Sequence, residues 1–175
     1  MNDYFQKWCC LIIFNHAQSQ TDHLFAITSA VNCAKHLYYD LEIKEKDKWS
    51  GDHYKKYLLT EDNEGERMKS AFANAFADGF RKVVLIKNKF EQLQVEQIME
   101  AFNCLKMIEF CIGPESNGDY YLIGMNYFEP SLFNNKQSDT TNHLKQTIRD
   151  IGKLKLALYK LPTLTSEHHV TNINS

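Results

Sequence analysis

Three absences narrow what this sequence can encode. No block of Lys or Arg stands out, and the formal net charge of the 175 residues is -2. Charge therefore gives no reason to expect a nucleic acid or an anionic membrane surface as partner. The longest apolar run, Trp8 to Phe14, is too short to span a bilayer. That run also lacks a small-residue cleavage site, so we expect neither a membrane span nor a signal peptide.

The cysteines exclude two further classes. Their number, 5, is odd, and no Cys-x-x-Cys pair occurs, so neither a disulfide framework nor a zinc site is predicted. Two of them, Cys9 and Cys10, lie inside the apolar run, where thiols usually serve as small buried side chains. We therefore expect a reduced, cytoplasmic protein.

The sequence does have the composition of a folded protein. Hydrophobic residues make up 43% of the chain and aromatic residues 13%, which suits one ordinary domain with a substantial core. We assign residues 1–164 to that domain and residues 165–175 to a polar tail. The aromatic residues would also suit an oligomeric interface, but aromatics along one helix face more often form the core. The oligomeric state is left open.

Short, continuous apolar runs predict strands that are buried on both faces, as in a parallel sheet. These runs are Trp8 to Phe14, Lys82 to Ile86, Ile108 to Ile112 and Tyr120 to Met125. Apolar residues at helical spacing predict amphipathic helices between the strands. The helical patterns begin near Thr21, Gly65, Gln94 and Thr140.

Three other stretches follow less regular patterns. The first helical pattern continues to Ala34, and Leu37 to Ile43 fits either a second strand or the tail of that helix. The polar stretch from there to about Glu64 is interpreted as a surface loop. Leu154 to Leu161 alternates apolar and polar residues, which indicates a last strand.

Strands that alternate with helices predict right-handed βαβ crossovers and a mainly parallel sheet covered on both faces. The expected fold class is a single-domain, three-layer α/β/α sandwich. Ligands in such sheets bind at the carboxyl ends of the strands. Ligand-binding residues are therefore expected in the loops after Phe14, Ile86 and Ile112.

The first two of these loops are polar. Asn15 and His16 follow the first strand, in a loop without the Gly or Lys that would cradle a phosphate. Lys87, Asn88 and Lys89 follow a later buried strand, where a metal-dependent site would need carboxylates. This second loop is either a solvated, charged turn or a place where the Lys89 ammonium substitutes for a divalent cation.

The third loop is rich in glycine. Three of the 7 glycines lie in residues 113–124, and glycine allows positive φ and close approach of a ligand. The alternative is a tight turn between two strands, because Asn117-Gly118 is a strong hairpin signal. Glu115 and Asp119 lie on either side of that dipeptide and are candidate ligand-binding carboxylates.

Several segments occur in an order that is informative in combination. They are Leu11 to Phe14, Gly65 to Met68, Val83 to Ile86, Gly113-Pro114, Gly118 to Gly124, Leu132 to Lys136 and Leu161-Pro162. With them, nearly the whole chain resembles the bacterial GT-A-like domain-of-unknown-function family 2064, which is grouped with glycosyltransferases. The resemblance implies a nucleotide-diphospho-sugar transferase (GT-A, Rossmann-like) fold, a nucleotide or nucleotide sugar as ligand, and a divalent metal as the usual cofactor.

The chain departs from the family pattern where that pattern would carry catalysis. The family has Gly-Ser-Asp-Cys-Pro where this chain has Lys87-Asn88-Lys89-Phe90-Glu91, and its Asp-Gly-Gly-Tyr-Tyr becomes Asn117-Gly118-Asp119-Tyr120-Tyr121. The family's basic loop ending in Lys-Thr-Arg has no counterpart. By this resemblance, the metal-coordinating carboxylates are lost, and we expect no metal cofactor.

Two functional hypotheses follow. The first is a non-catalytic family member kept as a binding or interaction scaffold, because losing the stabilisation of a diphosphate leaving group costs orders of magnitude in rate. The second is an active, metal-independent nucleotidyl- or glycosyltransferase with a site rebuilt around Lys89, Glu115 and Asp119. This second hypothesis requires those three side chains to converge in one cleft at the strand ends.

Overall fold

A computed structural model describes residues 8–15, 21–87, 92–134 and 142–165. The candidate site residues His16, Asn88 and Lys89 lie outside these ranges. So does the start of the last predicted helix at Thr140. Of the predicted polar tail, the described ranges include Thr165 alone.

The described residues form a seven-stranded sheet with the strand order β3-β2-β1-β4-β6-β5-β7. The strands are β1 (Cys9–Asn15), β2 (Ala34–Tyr39), β3 (Tyr54–Leu58), β4 (Lys82–Ile86), β5 (Phe110–Pro114), β6 (Tyr120–Met125) and β7 (Leu158–Lys160). β6 runs antiparallel to its neighbours β4 and β5, whereas the other neighbouring pairs are parallel. The predicted mainly parallel sheet is confirmed.

The helices of the described ranges are α1 (Thr21–Ser29), α2 (Glu64–Ala77), α3 (Val95–Cys104) and α4 (His143–Lys153), with a short 3-10 helix at Pro130–Phe133. α2 begins after Asn63, whose side-chain oxygen accepts a hydrogen bond from the Glu66 N–H at 2.9 Å. The helix is followed by Gly79, which has a φ of +91°. Gly79 therefore closes this helix as the sequence predicts, because glycine adopts positive φ at little cost.

Apolar side chains cover the sheet on both faces. One core cluster includes Leu24 of α1 and Phe102 of α3. The other includes Phe72 of α2, Phe133 of the 3-10 helix and Ile151 of α4. Helices therefore lie on both sides of the sheet, and the predicted three-layer α/β/α sandwich is confirmed.

The first helix is shorter than its apolar spacing predicts. It ends at Ser29, and Ala34 is already the first residue of β2. The Lys35 ammonium donates hydrogen bonds to the carbonyl oxygens of Val31 and Cys33, at 2.8 and 2.9 Å, and so satisfies polar groups between helix and strand. Of the two alternatives for the stretch that begins at Leu37, the strand is the one observed.

The stretch interpreted as a surface loop contains the edge strand β3. This strand lies at the edge of the sheet and pairs with β2 alone, so its residues are partly buried or exposed instead of forming a buried apolar run. In the same stretch, Trp49 is buried against Phe25 and Tyr54. The loop prediction is wrong here because an edge strand tolerates charged residues such as Lys55 and Lys56.

The predicted last strand is also shorter than expected. α4 runs to Lys153, and Leu154 is its C-cap. Lys155 then has a φ of +57°, which turns the chain away from the helix. β7 is confined to the three residues Leu158–Lys160, so part of the alternating pattern belongs to a turn.

Candidate functional site

The parallel strands end together at one edge of the sheet, which we call the carboxyl edge. β1 lies between β2 and β4, so the chain first extends the sheet to one side and then to the other. Such a switch point is where open α/β sheets bind ligands. Asn15 ends β1, Lys87 follows β4, Glu115 follows β5 and Asp119 precedes β6. These four sequence-predicted candidates therefore share one edge.

The most strongly paired group at this edge is the Lys87 ammonium. Its Nζ lies 2.9 Å from Oε1 of Glu64 and 3.0 and 3.1 Å from the two carboxylate oxygens of Asp119. Nζ also lies 4.4 Å from the centroid of the Tyr120 ring. The Lys87 side chain is only 10% exposed, whereas the Glu64 side chain is 43% exposed, so a buried cation contacts one mostly buried and one partly exposed carboxylate.

Three separate elements bring this cluster together. The Lys87 N–H donates to the carbonyl oxygen of Tyr121 at 2.9 Å, which continues the β4–β6 pairing past the end of β4. Glu64 is the first residue of α2. Asp119 precedes β6, and its Oδ1 accepts a hydrogen bond from the Tyr120 N–H at 2.8 Å. The carboxylates are therefore positioned by a helix start and a strand start that face the same strand end.

The environment favours the charged form of Lys87. Burial by itself lowers the pKa of a lysine, but the adjacent Tyr120, Glu64 and Asp119 raise the pKa of Lys87 above its usual value. The interpretation of this loop as a solvated turn is therefore wrong for Lys87. The proposed cation substitution at Lys89 lies outside the described residues and stays a prediction.

The Asn117-Gly118 dipeptide forms a hairpin turn. The Gly118 N–H donates to the Glu115 carbonyl at 3.3 Å, and the Glu115 N–H donates to the Asp119 carbonyl at 2.9 Å. Gly118 has a φ of +91°, as the last residue of a three-residue hairpin loop requires. The turn interpretation of the glycine-rich segment is confirmed.

Side chains within this turn are hydrogen-bonded to one another. Oδ1 of Asn117 accepts from the Asp119 N–H at 2.9 Å, and its Nδ2 donates to Oε2 of Glu115 at 2.9 Å. Glu115 is buried, with 6% of its surface exposed. These contacts fix the turn and direct the Asp119 carboxylate to Lys87, while the Glu115 carboxylate contacts Asn117.

The other two glycines of the segment serve packing. A Cβ atom on Gly113 would lie 2.3 Å from Cζ of Tyr121, and one on Gly124 would lie 2.6 Å from Sγ of Cys111. Both glycines make room for core side chains. The idea that they permit close approach of a ligand is not supported, because the space above them is already filled.

Buried polar groups lie beneath Asp119. Nδ1 of His143 is 3.9 Å from Oδ1 of Asp119, and the histidine is 4% exposed. Tyr120 hydrogen-bonds with Thr147, and burial raises the pKa of the Tyr120 hydroxyl to about 12. Sequence reasoning missed both His143 and Glu64. A usable signal for Glu64 was its place directly after Asn63, since acidic residues are favoured in the first turn of a helix.

Asn15 belongs to a neighbouring polar network. Its side chain hydrogen-bonds with Tyr39, which ends β2. The Tyr39 hydroxyl donates to Oδ2 of Asp47 at 2.5 Å, and Lys56 pairs with Oδ1 of the same carboxylate at 2.8 Å. The carboxyl edge is thus lined with paired charges on both sides of β1.

The described residues do not fit a divalent metal. Within residues 8–15, 21–87, 92–134 and 142–165, no group of three or more His, Cys, Asp or Glu side chains is arranged to hold one. Glu64 and Asp119, which would supply hard oxygen ligands, instead contact the Lys87 ammonium.

Comparison with solved structures defines the class of fold. A protein of Desulfovibrio desulfuricans G20, provisionally described as a nucleotide-diphospho-sugar transferase, superposes with a TM-score of 0.81 at 22% identity, over 95% of this chain and 88% of that one. Rv0371c of Mycobacterium tuberculosis H37Rv has a TM-score of 0.59 at 7% identity, over 91% and 90% of the two chains. A manganese complex of Rv0371C matches with a TM-score of 0.59 at 9% identity, over 93% and 90%. The protein has a nucleotide-diphospho-sugar transferase fold.

The family follows from sequence. Residues 23–140 match the family described as an uncharacterized protein conserved in bacteria (DUF2064), and the chain belongs to that family. No curated protein matches the chain. Among the described residues, the helices are too short or too polar to cross a membrane.

Proposed function

We propose that this protein binds a nucleotide or nucleotide sugar at the carboxyl edge without a divalent metal, and that it has little or no transferase activity. It would then serve as a binding or interaction scaffold on a transferase fold. The observation that carries this proposal is the Lys87 ammonium, held within 2.9–3.1 Å of oxygens of Glu64 and Asp119.

When a sugar leaves a nucleoside diphosphate, negative charge develops on the diphosphate, and a bound cation normally stabilises it. Rv0371C, which shares this fold, has been solved as a manganese complex. In the present protein the cation at the described edge is an ammonium whose close partners are carboxylates, so its charge is already neutralised.

The charge balance of the described edge supports the same conclusion. Two carboxylates, those of Glu64 and Asp119, contact one ammonium, that of Lys87, and a third carboxylate, that of Glu115, lies in the adjoining turn. Because the Lys87 charge is already paired with carboxylates, this cluster offers little extra stabilisation to the charge that develops on a diphosphate leaving group. Because rate depends on stabilising the transition state more than the ground state, binding can persist where transfer does not.

The rebuilt, metal-independent transferase gains no specific support. It needs Lys89, Glu115 and Asp119 to converge, and Lys89 lies outside the described residues. The carboxylates of Glu115 and Asp119 already accept hydrogen bonds from Asn117 and Lys87. A free general base at either position would require those hydrogen bonds to break.

A thermal-shift screen tests the proposal. UDP, GDP, CDP and their sugar conjugates are each added with and without Mn²⁺, and sugar transfer and hydrolysis are measured in parallel. We expect at least one of these ligands to raise Tm by several degrees, equally with and without Mn²⁺, and no turnover. Stabilisation that requires Mn²⁺, or Mn²⁺-dependent turnover, would refute the proposal, as would the absence of any stabilising nucleotide.

A pair of variants locates the binding site. Asn15→Ala changes the carboxyl edge at the end of β1, whereas Asn32→Ala changes an exposed residue just before β2 at the opposite edge. We expect Asn15→Ala to weaken nucleotide binding and Asn32→Ala to leave it unchanged. Equal effects of the two variants would place the ligand elsewhere.

The cytoplasmic location is part of the same proposal. All 5 cysteines are free thiols, and Cys104 alone among them is not fully buried. Free thiols persist in reducing compartments, where disulfides are rare. Localisation of a tagged full-length chain by cell fractionation would test this assignment directly.

A further inference from the structure

We infer that the Lys87 ammonium is a built-in replacement for a divalent cation, which occupies the position between Glu64 and Asp119 and keeps metal ions out of the carboxyl edge. The inference deepens the proposed metal-independent binding and rests on the same site. It assigns Lys87 a role in excluding metal, which is a property of the protein without any nucleotide.

Carboxylate oxygens surround the Lys87 ammonium as they would surround a bound metal ion. Its three oxygen contacts, at 2.9, 3.0 and 3.1 Å, come from two carboxylates on different elements of the fold. Carboxylate oxygens are the ligands that Mg²⁺ and Mn²⁺ prefer. A metal at the same position would need oxygens at about 2.1 Å, and the Glu64 side chain, at 43% exposure, has room to close that gap.

Burial of a lysine does not by itself create such a cluster. Lys35 is 3% exposed, yet its Nζ donates to the backbone carbonyls of Val31 and Cys33 and faces the Tyr54 ring. Its removal would leave neutral carbonyl groups. Removal of the Lys87 ammonium would instead leave two carboxylates facing an empty position, with the His143 ring close to one of them.

A latent metal site is therefore expected when Lys87 loses its charge. Two carboxylates that face one position attract a divalent cation, which can keep water molecules as its remaining ligands. The same carboxylates in the wild-type protein are neutralised by Lys87. The wild-type protein should consequently bind Mn²⁺ weakly or not at all.

The experiment measures Mn²⁺ alone, without nucleotide. Mn²⁺ is titrated into wild type, Lys87→Met and Lys35→Met, and free Mn²⁺ is followed by electron paramagnetic resonance. We expect Lys87→Met to bind one Mn²⁺ at least about tenfold more tightly than wild type. Lys35→Met, which removes a buried ammonium that has carbonyl partners, should bind like wild type.

Two further variants test the mechanism. Lys87→Arg keeps the positive charge and should not gain the metal, whereas Lys87→Met/Asp119→Asn should lose most of the gained affinity. If Lys87→Met does not fold, Lys87→Gln is used, because its amide can still donate to one carboxylate. In the folded variant, Mn²⁺ should raise Tm more than it does for wild type.

Three results would overturn the inference. They are tight Mn²⁺ binding by wild type, no gain in affinity in either uncharged Lys87 variant, and an equal gain in Lys35→Met. None of these results depends on nucleotide. The inference and the proposed nucleotide binding can thus fail separately, since the nucleotide screen can succeed while the Mn²⁺ titration fails, or the reverse.

Discussion

Two buried lysines lie at opposite edges of the sheet and differ in what surrounds their ammonium groups. Lys35, near the start of β2, donates to the carbonyl oxygens of Val31 and Cys33 at 2.8 and 2.9 Å. Lys87, after β4, contacts the carboxylates of Glu64 and Asp119. Among the described contacts, the Lys35 ammonium meets carbonyl dipoles, whereas the Lys87 ammonium meets groups of opposite charge.

The pKa values respond in opposite directions. Burial lowers the pKa of Lys35, and the nearby Cys33 and Cys10 only partly oppose this effect. Burial also acts on Lys87, but Tyr120, Glu64 and Asp119 outweigh it and raise the pKa. A buried lysine is thus stabilised in its charged form when carboxylates surround it. Lys35 thus serves to satisfy backbone carbonyl groups, whereas Lys87 lies where carboxylates could otherwise hold a divalent metal ion.

The largest expected effect comes from removing the carboxylate that holds Lys87. Asp119→Ala leaves a buried ammonium with Glu64 as its remaining carboxylate partner, and we expect a loss of about 3 kcal/mol in the free energy of unfolding. Glu64→Ala should cost less than about 1 kcal/mol, because the Glu64 side chain is 43% exposed and its ion pair is screened by water. Urea denaturation measures both values.

A double-mutant cycle isolates the pair itself. Lys87→Met/Asp119→Ala should recover part of the loss caused by Asp119→Ala, because no charge is then left buried without a partner. If the double variant is as unstable as the sum of the two single variants, Lys87 and Asp119 do not stabilise each other. The carboxyl edge would then resemble the Lys35 edge energetically.

The sequence predicts well whatever depends on burial on both faces. β4 and β6 have the predicted bounds, because each is a continuous apolar run whose neighbours lie on both sides. The edge strand β3 was missed, since it pairs on one side and keeps Lys55 and Lys56. The pattern of apolar residues in a segment reflects how deeply that segment is buried. An edge strand is buried only in part, so its pattern does not reveal it.

The candidate site could be predicted only by position. The expectation of a site at the carboxyl ends of β1, β4 and β5 rests on a general rule for open α/β sheets, and the turn at Asn117 and Gly118 follows local rules. The pairing of Lys87 with Glu64 joins residues from two elements, and it depends on how α2 packs on the sheet. No periodicity in one sequence carries that information, so the sequence alone favours a solvated turn at Lys87 and a loop that extends to about Glu64.

His36 tests an intermediate case, a buried base with one carboxylate. Its Nε2 is 3.3 Å from Oδ2 of Asp78, while Tyr57 and Phe80 pack against the ring. Among the described contacts, its Nδ1 has no hydrogen-bond partner. Burial lowers the pKa of His36 to about 4, although Asp78 raises it and Lys55 lowers it further. One partly exposed carboxylate is therefore not enough to keep this base charged.

Acid should destabilise the protein through His36. The pKa of His36 in the folded state lies below its ordinary value of 6.5. The stability that comes from burying a neutral His36 is therefore fully present above pH 6.5 and is lost as the pH falls toward 4. We expect about 3 kcal/mol to be lost in that window. His36→Phe should flatten the curve of unfolding free energy against pH there. A curve as steep as that of wild type would assign the acid sensitivity to another group.

At alkaline pH, Lys35 and Lys87 should change the free energy of unfolding in opposite directions as the pH rises. The lowered pKa of Lys35 makes stability rise with pH toward 10.5, whereas the raised pKa of Lys87 makes stability fall as the pH passes above 10.5. Each slope is at most about 1.4 kcal/mol per pH unit. Urea denaturation from pH 8.5 to 11.5, compared with Lys35→Met and Lys87→Met, measures them. Slopes of the same sign would contradict the comparison.

The smallest expected effect concerns Gly118, which shapes the turn that directs Asp119 to Lys87. Gly118→Ala places a Cβ at a φ of +91° and should cost about 1 kcal/mol. Gly51, with a φ of +119° and open space around it, is the matched control far along the chain, and its alanine variant should cost a similar amount.

The two glycine variants should differ in a second measurement. A strained turn moves the Asp119 carboxylate away from Lys87, and lysine reactivity then reports the change, because a less tightly paired ammonium deprotonates more readily. Peptide mapping after amine acetylation should therefore show faster modification of Lys87 in Gly118→Ala and an unchanged rate in Gly51→Ala. Lys35 should keep its own rate in both variants, since its carbonyl partners lie at the other edge of the sheet. If Lys87 and Lys35 change together, the variant has loosened the whole fold and the turn has no specific role in holding the cation.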